Sequence, residues 1–250
     1  MFLRYASAQI LFDEAKKRGL NPVWETADGL FSFRHRNKDM FVYYTKLHIN
    51  SQLGAGICRD KSLARAFLAR GNFPNIPFCY SRNSADIQNF FSAHQPVIQK
   101  PLAGMKSDNV RLIGTIEDLD LKHLHDTICE KYIEGTEFRC LVLNGKTIGM
   151  QKKLLEPTEQ YPWRKQILNL DEKDWHGELL PAAEAIAGML HMGFMAVDFI
   201  VDAAGTAWVL ELNSMPGLHS WHEPRGGQRV DIGQQLMAAI LEASVCGKAD

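Results

Sequence analysis

Two kinds of hydrophobic pattern alternate along the chain. Apolar residues that recur every third or fourth position predict amphipathic helices, and short apolar or alternating runs bounded by turn residues predict β-strands. We predict helices at residues 7–18, 61–69, 84–93, 178–191 and 230–243. The predicted strands are 22–25, 30–33, 40–46, 96–100, 110–113, 146–151, 195–201 and 206–212, with two more in 128–143 on either side of a turn at Gly135.

The most informative segment is 195–218, which reads MAVDFIVDAAGTAWVLELNSMPGL. It predicts two apolar strands joined by an Asp-Ala-Ala-Gly turn. Asp198 interrupts the first strand, and Glu211 and Asn213 share one face of the second because strand side chains alternate. Two carboxylates and an amide oxygen are hard donors that suit Mg²⁺. The alternative is a buried hairpin whose acids lie at the solvent edge. This alternative is weaker, because a carboxylate in an apolar strand is costly unless it is paired or bound to a metal.

Two lysines stand at positions where an anion is expected. Asp60 predicts the N-cap of a helix whose first turn contains Lys61, a place where a cation is unfavourable. Lys100 ends a strand and precedes a small, polar loop, PLAGMKSDN, that includes Gly104 and Ser107. Such a loop can present backbone N–H groups to phosphate. A solvated surface lysine and a plain hairpin loop are the alternatives.

Charged residues are embedded in the β-like segment 128–143 and in the strand that follows it. They are Glu130, Lys131, Glu137 and Arg139, and Asn144-Gly145 then predicts a tight hairpin. Charges of an edge strand that face water are the alternative explanation. Of the adjacent Lys152 and Lys153, only one can face inward from a strand. The long polar stretch 156–174 is of a kind that is usually functional or mobile.

Composition excludes several classes of function. The chain has 250 residues, 46% of them hydrophobic, and a net charge of −1, which gives no electrostatic case for nucleic acid or an anionic membrane. No apolar run approaches membrane-spanning length. Five cysteines without CxxC spacing favour reduced thiols and a cytoplasmic location over zinc or disulfides.

Five segments of the chain together resemble the ATP-grasp superfamily of carboxylate–amine ligases. VDFIVDAAGTAWVLELNSMPGL is similar to the magnesium hairpin of that family, EKYIEGTEFRCLVLNGK to its adenine–ribose strand, and VIQKP to the strand with its central nucleotide-binding lysine. SAQILFDEAKKRGL and RDKSLARAFLARGNFPNIP resemble the entry to the ATP-grasp module of bifunctional glutathione synthetases and cyanophycin synthetases. Ribosomal-protein glutamate ligases are further relatives of this type. The segments occur in the order that the family has.

The resemblance implies an α+β ATP-grasp fold in which two α/β lobes clasp ATP between antiparallel sheets. It implies that ATP phosphates contact Lys61 and Lys100 beside Gly104 and Ser107, and that Glu137 holds the ribose. The adenine edge would be lined by Glu130, Lys131, Tyr132 and Ile133. Mg²⁺, or Mn²⁺, would bind to Asp198, Glu211 and Asn213. Charge on the transferred phosphoryl group would be neutralised by the predicted catalytic residues Arg139, Arg164 and Lys152, the last chosen over Lys153.

The chain departs from the family in three places. The loop after Lys100 has one glycine where relatives have two or three, and WRKQILNLDEKDW lacks the expected Asn and Gly-Gly. Only about sixty residues precede the helix of Lys61, so the N-terminal lobe is shortened, or a homodimer or partner chain completes it. We predict three parts: a shortened N-terminal α/β element (1–59), a small lobe with the phosphate loop (60–132), and a C-terminal lobe with the Mg²⁺ site (133–250).

The predicted function is an ATP-dependent ligase that joins a carboxylate to an amine through an acyl phosphate. Its substrates would be small molecules or peptides, with ADP and phosphate as products. Residues 105–109 and 156–174 are the candidate lids that keep water from the acyl phosphate. An ATP-grasp kinase and a non-catalytic nucleotide-binding subunit are the two alternatives.

Overall fold

The structure is a computed structural model that describes residues 2–27, 29–104, 109–156 and 165–246. Its helices are α1 (Phe2–Lys17), α2 (Gln52–Arg59), α3 (Lys61–Arg70), α4 (Ser84–His94), α5 (Leu180–Met189), α6 (His219–His222) and α7 (Ile232–Cys246). Its strands are β1 (Val23–Trp24), β2 (Leu30–His35), β3 (Lys38–Tyr43), β4 (Phe78–Cys79), β5 (Val97–Pro101), β6 (Arg111–Ile113), β7 (Thr127–Lys131), β8 (Gly135–Leu143), β9 (Lys146–Leu155), β10 (Lys165–Asn169), β11 (Phe194–Asp202) and β12 (Ala207–Asn213). Short 3₁₀ turns occupy Ile116–Asp118, Glu172–Asp174 and Gly177–Leu179.

The strands form three antiparallel sheets. The orders are β1-β2-β3 in the N-terminal sheet, β4-β7-β5-β6 in a four-stranded sheet, and β10-β9-β8-β11-β12 in a five-stranded sheet. The chain passes from the four-stranded to the five-stranded sheet between Lys131 and Gly135. This mixture of helices and antiparallel sheets confirms the predicted α+β fold class.

The five-stranded sheet is covered on both faces, which explains why its strands are so apolar. On one face, Cys140, Val142 and Val197 pack in a cluster that includes residues of α3 and α5. On the other, Leu141 and Ala196 belong to a second cluster with α1, α7 and the N-terminal sheet. A third cluster lies between α4 and the four-stranded sheet.

The first sixty residues pack onto the body of the protein. Phe12 of α1 stacks on Trp24 with ring centroids 4.4 Å apart, and Phe31 meets both rings edge-on. Leu11 of α1 and Phe31 of β2 lie in the cluster that also contains Leu236 of α7. The predicted boundaries of the three parts stay predictions.

The two predicted hairpins are confirmed, with their turn chemistry. Asn144 and Gly145 have φ of 48° and 75°, as a tight type I′ turn requires. Between β11 and β12, one carboxylate oxygen of Asp202 accepts hydrogen bonds from the backbone N–H groups of Ala204 and Thr206. Gly205 closes that turn with φ of 80°.

Three predictions of local structure were wrong. Gly135 is the first residue of β8 rather than the centre of a turn, and an added Cβ there would lie 2.3 Å from the carbonyl oxygen of Val201. Residues 156–174 contain the regular strand β10. Helix α2 was not predicted because its sequence, QLGAGICR, contains two glycines. Gly54 is needed there, since a Cβ would lie 2.3 Å from the carbonyl oxygen of Leu190.

Candidate active site

One face of the five-stranded sheet carries a row of charged side chains, which we call the site face. Residues directly opposite each other in an antiparallel pair point to the same side of the sheet. Arg139 of β8 lies opposite Asp198 of β11, which lies opposite Glu211 of β12. Glu137 of β8 lies opposite Lys153 of β9 on the same face. The pairing therefore gathers charges from four strands at one place.

Asp198 is the centre of this group. It is 2% exposed, and its two oxygens accept bonds from Nε and Nη2 of Arg139, at 2.6 and 2.8 Å. Nζ of Lys153 donates a further bond of 2.7 Å to Oδ2. Burial by itself raises the pKa of Asp198, but the charges of Arg139 and Lys153 outweigh burial and hold this pKa well below its usual range. The carboxylate is therefore ionised.

Glu137 lies beside this group and has one free oxygen. Its Oε1 accepts a short hydrogen bond from Nζ of Lys165, and Lys153 lies 3.9 Å from Oε2. Within the described part of the chain, Oε2 is buried and has no hydrogen-bond partner. A buried acceptor without a partner is costly. The arrangement therefore suits a ligand hydroxyl that donates to Oε2.

The choice of Lys152 over Lys153 is corrected by the sheet geometry. Lys153 has an 8% exposed side chain and ion-pairs with Asp198. Lys152 lies opposite Phe138, which belongs to the apolar cluster on the other face of the sheet. Adjacent strand residues point to opposite faces, so the sequence could not tell which lysine faces the site.

A second charged group lies in the four-stranded sheet and involves Glu130. This carboxylate is 2% exposed and pairs with Arg65 at 2.9 Å and with Lys100 at 2.7 Å. Burial raises its pKa, whereas the charges of Arg65 and Lys100 lower it more strongly, to about 2. Since both oxygens already have cationic partners, the Glu130 side chain holds Lys100 rather than facing the adenine edge as predicted.

Residues 131–133 lie where the chain leaves the four-stranded sheet for the five-stranded sheet. The N–H groups of Lys131 and Tyr132 donate to the carbonyl oxygens of Pro77 and Pro96, at 2.9 and 3.1 Å. In the ranges that the structure describes, the N–H of Ile133 donates to no protein acceptor. A planar ligand at the junction of the sheets could accept from it.

Lys61 completes the site from the N-terminus of α3. Asp60 caps this helix as predicted, with its Oδ1 accepting from the N–H groups of Ser62 and Leu63. Nζ of Lys61 donates to the carbonyl oxygen of Leu102 at 3.4 Å, just beyond Lys100. Burial lowers the pKa of Lys61, and the charge of Glu211 opposes that shift. Lys61 and Lys100, the two lysines predicted to contact phosphate, are thus brought together near Glu211.

Several predicted residues are not placed in this group. Ser107 and Arg164 lie outside the described residues, as do residues 105–108 of the candidate lid 105–109 and residues 157–164 of the candidate lid 156–174. Gly104 is exposed at the end of the described part of its loop. The roles predicted for these three residues stay predictions.

Two of the three predicted metal ligands, Asp198 and Glu211, lie opposite each other in the β11–β12 hairpin, and Asn213 follows Glu211 by two residues on the same strand. Glu211 is exposed, and in the described ranges it forms no ion pair within 4.0 Å. Oδ1 of Asn213 accepts one bond from the N–H of Met215, which leaves one lone pair. No group of three His, Cys, Asp or Glu side chains that could hold a metal occurs in the same ranges. Two carboxylates and an amide still fit Mg²⁺, because Mg²⁺ keeps several water and phosphate ligands.

Two site residues were missed by sequence reasoning. Arg65 lies on an ordinary amphipathic helix, four positions after Lys61, and Lys165 lies in the polar stretch 156–174, for which no strand is predicted. The only signal for Arg65 was its position on the apolar face of α3, where it lies between Ala64 and Leu68. An arginine on a buried face needs an anionic partner.

Comparisons with known proteins identify the family to which this fold belongs. Residues 58–217 match a family model described as an ATP-grasp domain. The chain belongs to the ATP-grasp family. The predicted fold and the resemblance to the carboxylate–amine ligases of that family are confirmed.

Individual relatives agree with this class. The chain is 27% identical over 222 residues to a D-alanine–D-alanine ligase from Acinetobacter baylyi, covering 78% of this chain and 70% of the ligase. A bifunctional glutathione synthetase from Pasteurella multocida superposes with a TM-score of 0.69 at 13% identity, over 95% of this chain and 43% of that one. The ATP-grasp ligase PsnB, solved with a minimal precursor, gives a TM-score of 0.65 at 18% identity, over 78% of this chain and 63% of PsnB. The described residues include no helix that is both long and apolar enough to cross a membrane.

Proposed function

We propose that this chain forms an amide bond between a carboxylate and an amine, through an acyl phosphate made at the expense of ATP. One observation carries the proposal. Four strands place Arg139, Lys153, Asp198 and Glu211 on one face of the five-stranded sheet, and Lys61 approaches Glu211 from α3. A cleft with cations on both sides of carboxylates suits a nucleotide triphosphate and its divalent ion.

The nucleotide lies between the two sheets. Lys61 and Lys100 bind its phosphates, together with the loop that contains Gly104 and Ser107. The backbone of residues 131–133 reads the adenine edge, for which the N–H of Ile133 is available. Oε2 of Glu137 accepts a ribose hydroxyl, which would satisfy the buried acceptor.

Asp198, Glu211 and Asn213 hold the divalent ion, Mg²⁺ or Mn²⁺. When bound, this ion would supply positive charge that offsets the negative charge developing on the transferred phosphoryl group. Of the three ligands, Glu211 is the most accessible. Arg139 and Lys153 donate two bonds to Oδ2 of Asp198 and one to Oδ1, so Oδ1 is the oxygen that would bind the cation.

Arg139 and Lys153 orient the transferred group. Both are held in place by Asp198, so their positive charges face the cleft in a fixed geometry. Each is a donor that stabilises negative charge on the acyl phosphate and on the tetrahedral intermediate formed by the attacking amine. Arg164 is proposed to join them.

The relatives suggest the class of substrate. D-alanine–D-alanine ligases and a ligase solved with a precursor peptide are among the proteins that this chain is similar to. We infer that the carboxylate and the amine belong to amino acids or a peptide. The location we propose is the cytoplasm, where ATP and reduced thiols are available.

The test is ADP release with panels of amino-acid and peptide carboxylates and amines. ADP formation that requires both the carboxylate and the amine supports the ligase. ADP formation that needs one acceptor and yields a phosphorylated product without an amide indicates a kinase. Tight binding of Mg·ATP without any turnover indicates a nucleotide-binding subunit.

Metal dependence is tested with Glu211→Ala and Asn213→Ala. Both variants are expected to fold normally and to lose Mg²⁺-dependent turnover, because each loses an oxygen ligand. Glu117→Ala, which removes an exposed carboxylate in the small lobe, is the matched control. Full activity in either site variant would overturn the metal assignment.

A further inference from the structure

Arg65 makes an unusually complete set of hydrogen bonds at the junction of the two large sheets. A guanidinium group has five N–H donors, and here all five have acceptors. Nε and Nη2 donate to the two oxygens of Glu130, at 2.9 and 3.1 Å. Nη1 donates to Oδ1 of Asn75 and to the carbonyl oxygen of Val209, and Nη2 donates to the carbonyl oxygen of Leu210. The residue is 3% exposed.

These acceptors belong to different sheets. Glu130 is in β7 of the four-stranded sheet, whereas Val209 and Leu210 are in β12 of the five-stranded sheet. The planar, bidentate pairing of an arginine with a carboxylate fixes orientation as well as distance. Arg65 therefore links the two sheets rigidly through a single buried side chain.

The link ends at the two halves of the candidate active site. Oε2 of Glu130, which accepts from Nη2 of Arg65, also accepts from Nζ of Lys100 at 2.7 Å. Leu210, which receives a bond from Arg65, directly precedes Glu211. The space lined by Lys61, Arg65, Glu130 and Glu211 is only about 10 Å³, about enough for one water molecule. Arg65 and Glu130 are therefore closely packed against the residues on both sides of them.

We propose that Arg65 is a positioning residue that sets Glu211, on the metal side of the site, relative to Lys100, on the phosphate side. The inference rests on the proposed function, because it assumes that these two residues bind Mg²⁺ and nucleotide. Arg65 touches neither ligand. Its effect is on the coupling between Mg²⁺ binding and nucleotide binding. Nucleotide binds more tightly in the presence of Mg²⁺ only when Glu211 and Lys100 are correctly spaced.

Arg65→Lys tests this role. A lysine keeps one positive charge beside Glu130, but its three donors on one nitrogen cannot bond the carboxylate and both β12 carbonyls together. We expect the ratio of ATP dissociation constants without and with Mg²⁺ to fall at least tenfold, towards one. The readout is calorimetric titration of the full chain with ATP in EDTA and in excess Mg²⁺.

A matched control separates positioning from general destabilisation. Leu68→Ala removes a buried side chain one turn further along α3, so it lowers the melting temperature while leaving the Arg65 bonds in place. We expect its Mg²⁺ coupling ratio to stay within twofold of the wild type. An equal loss of coupling in Leu68→Ala and Arg65→Lys would show that Arg65 acts only through stability.

A milder variant covers the case in which Arg65→Lys does not fold. Asn75→Ala removes one of the five acceptors, and an intermediate fall in the coupling ratio is expected. The inference is overturned if a folded Arg65→Lys protein has the wild-type ratio of ATP dissociation constants without and with Mg²⁺. If Arg65→Lys does not fold, a wild-type ratio in Asn75→Ala overturns it. If the wild-type chain itself binds ATP without any Mg²⁺ effect, the proposed function fails instead, so the two failures are distinguishable.

Discussion

The neighbouring lysines of β9 provide a sharp test of the site face. Lys153→Met and Lys152→Met are the same chemical change at adjacent positions, one on the site face and one on the opposite face. Methionine keeps an unbranched, flexible side chain of similar length and removes the ammonium group with its charge and its hydrogen-bond donors. Any difference between the variants therefore reports the environment of the two side chains.

The structure gives the expected magnitude. Lys153 donates a 2.7 Å charge-assisted bond to a carboxylate that is 2% exposed, an interaction of about 1.5–3 kcal/mol. Asp198 keeps both bonds from Arg139, so its charge is not left unpaired. We expect Lys153→Met to lower the free energy of unfolding by about 2 kcal/mol, which is about 4–8 °C in melting temperature for a chain of this size. Lys152 has no ion pair in the described ranges, and its loss should cost under about 0.5 kcal/mol.

Nucleotide binding is the decisive measurement. If Lys153 contacts phosphate with a bond of similar strength, the dissociation constant of Mg·ATP should rise about 10- to 150-fold in Lys153→Met. It should stay within about twofold of the wild type in Lys152→Met. Isothermal titration calorimetry measures both, and thermal unfolding confirms that each variant is folded. Equal losses of affinity in the two variants, or wild-type affinity in Lys153→Met, would refute the assignment of the site face.

Two further predictions concern stability. The pKa of Glu130 is about 2 in the fold against an ordinary value of 4.5, so its ionised form contributes up to about 3 kcal/mol above pH 4.5, and this is lost as the pH falls from 4.5 towards 2. The stability gap between the wild type and Glu130→Gln in urea unfolding should shrink over that range, and a constant gap would contradict the pairing. Gly135→Ala places a Cβ 2.3 Å from the Val201 carbonyl oxygen and should destabilise by about 1–3 kcal/mol. Gly188→Ala, on an exposed and uncrowded helix position, should be neutral or stabilising, and the reverse order of melting temperatures would contradict the packing.

Local chemistry accounts for the parts of the site that could be predicted. The apolar runs of β11 and β12, and the turn that bonds its own backbone, predict the hairpin that carries Asp198, Glu211 and Asn213. A register shift between Asp198 and Phe199, which the turn does not specify, puts Glu211 rather than Leu210 opposite Asp198. Asp60 and Lys61 were found by the same kind of reasoning, because a helix cap is a property of a few consecutive residues. Each of these predictions depends on residues close together in the sequence.

The site residues that the sequence did not predict depend instead on contacts between positions that are far apart in the chain. Arg65 and Glu130 are 65 positions apart, and no periodicity connects them. Lys153 and Asp198 are 45 positions apart in strands β9 and β11, which are separated in the sheet by β8. Glu130 was assigned to the adenine edge because the sequence shows its strand but not the two cations that hold it.

The sequence by itself determined most helices and strands of this protein, the hairpin with its three oxygen donors, and its membership of a nucleotide-binding family. Those properties follow from hydrophobic period, turn residues and short motifs. Only the tertiary structure decided which of two adjacent lysines faces the site, and that Arg65 joins the metal side to the phosphate side. Sheet pairing and burial bring distant charges together, and in a buried environment each charge must find a partner, which no local pattern can specify.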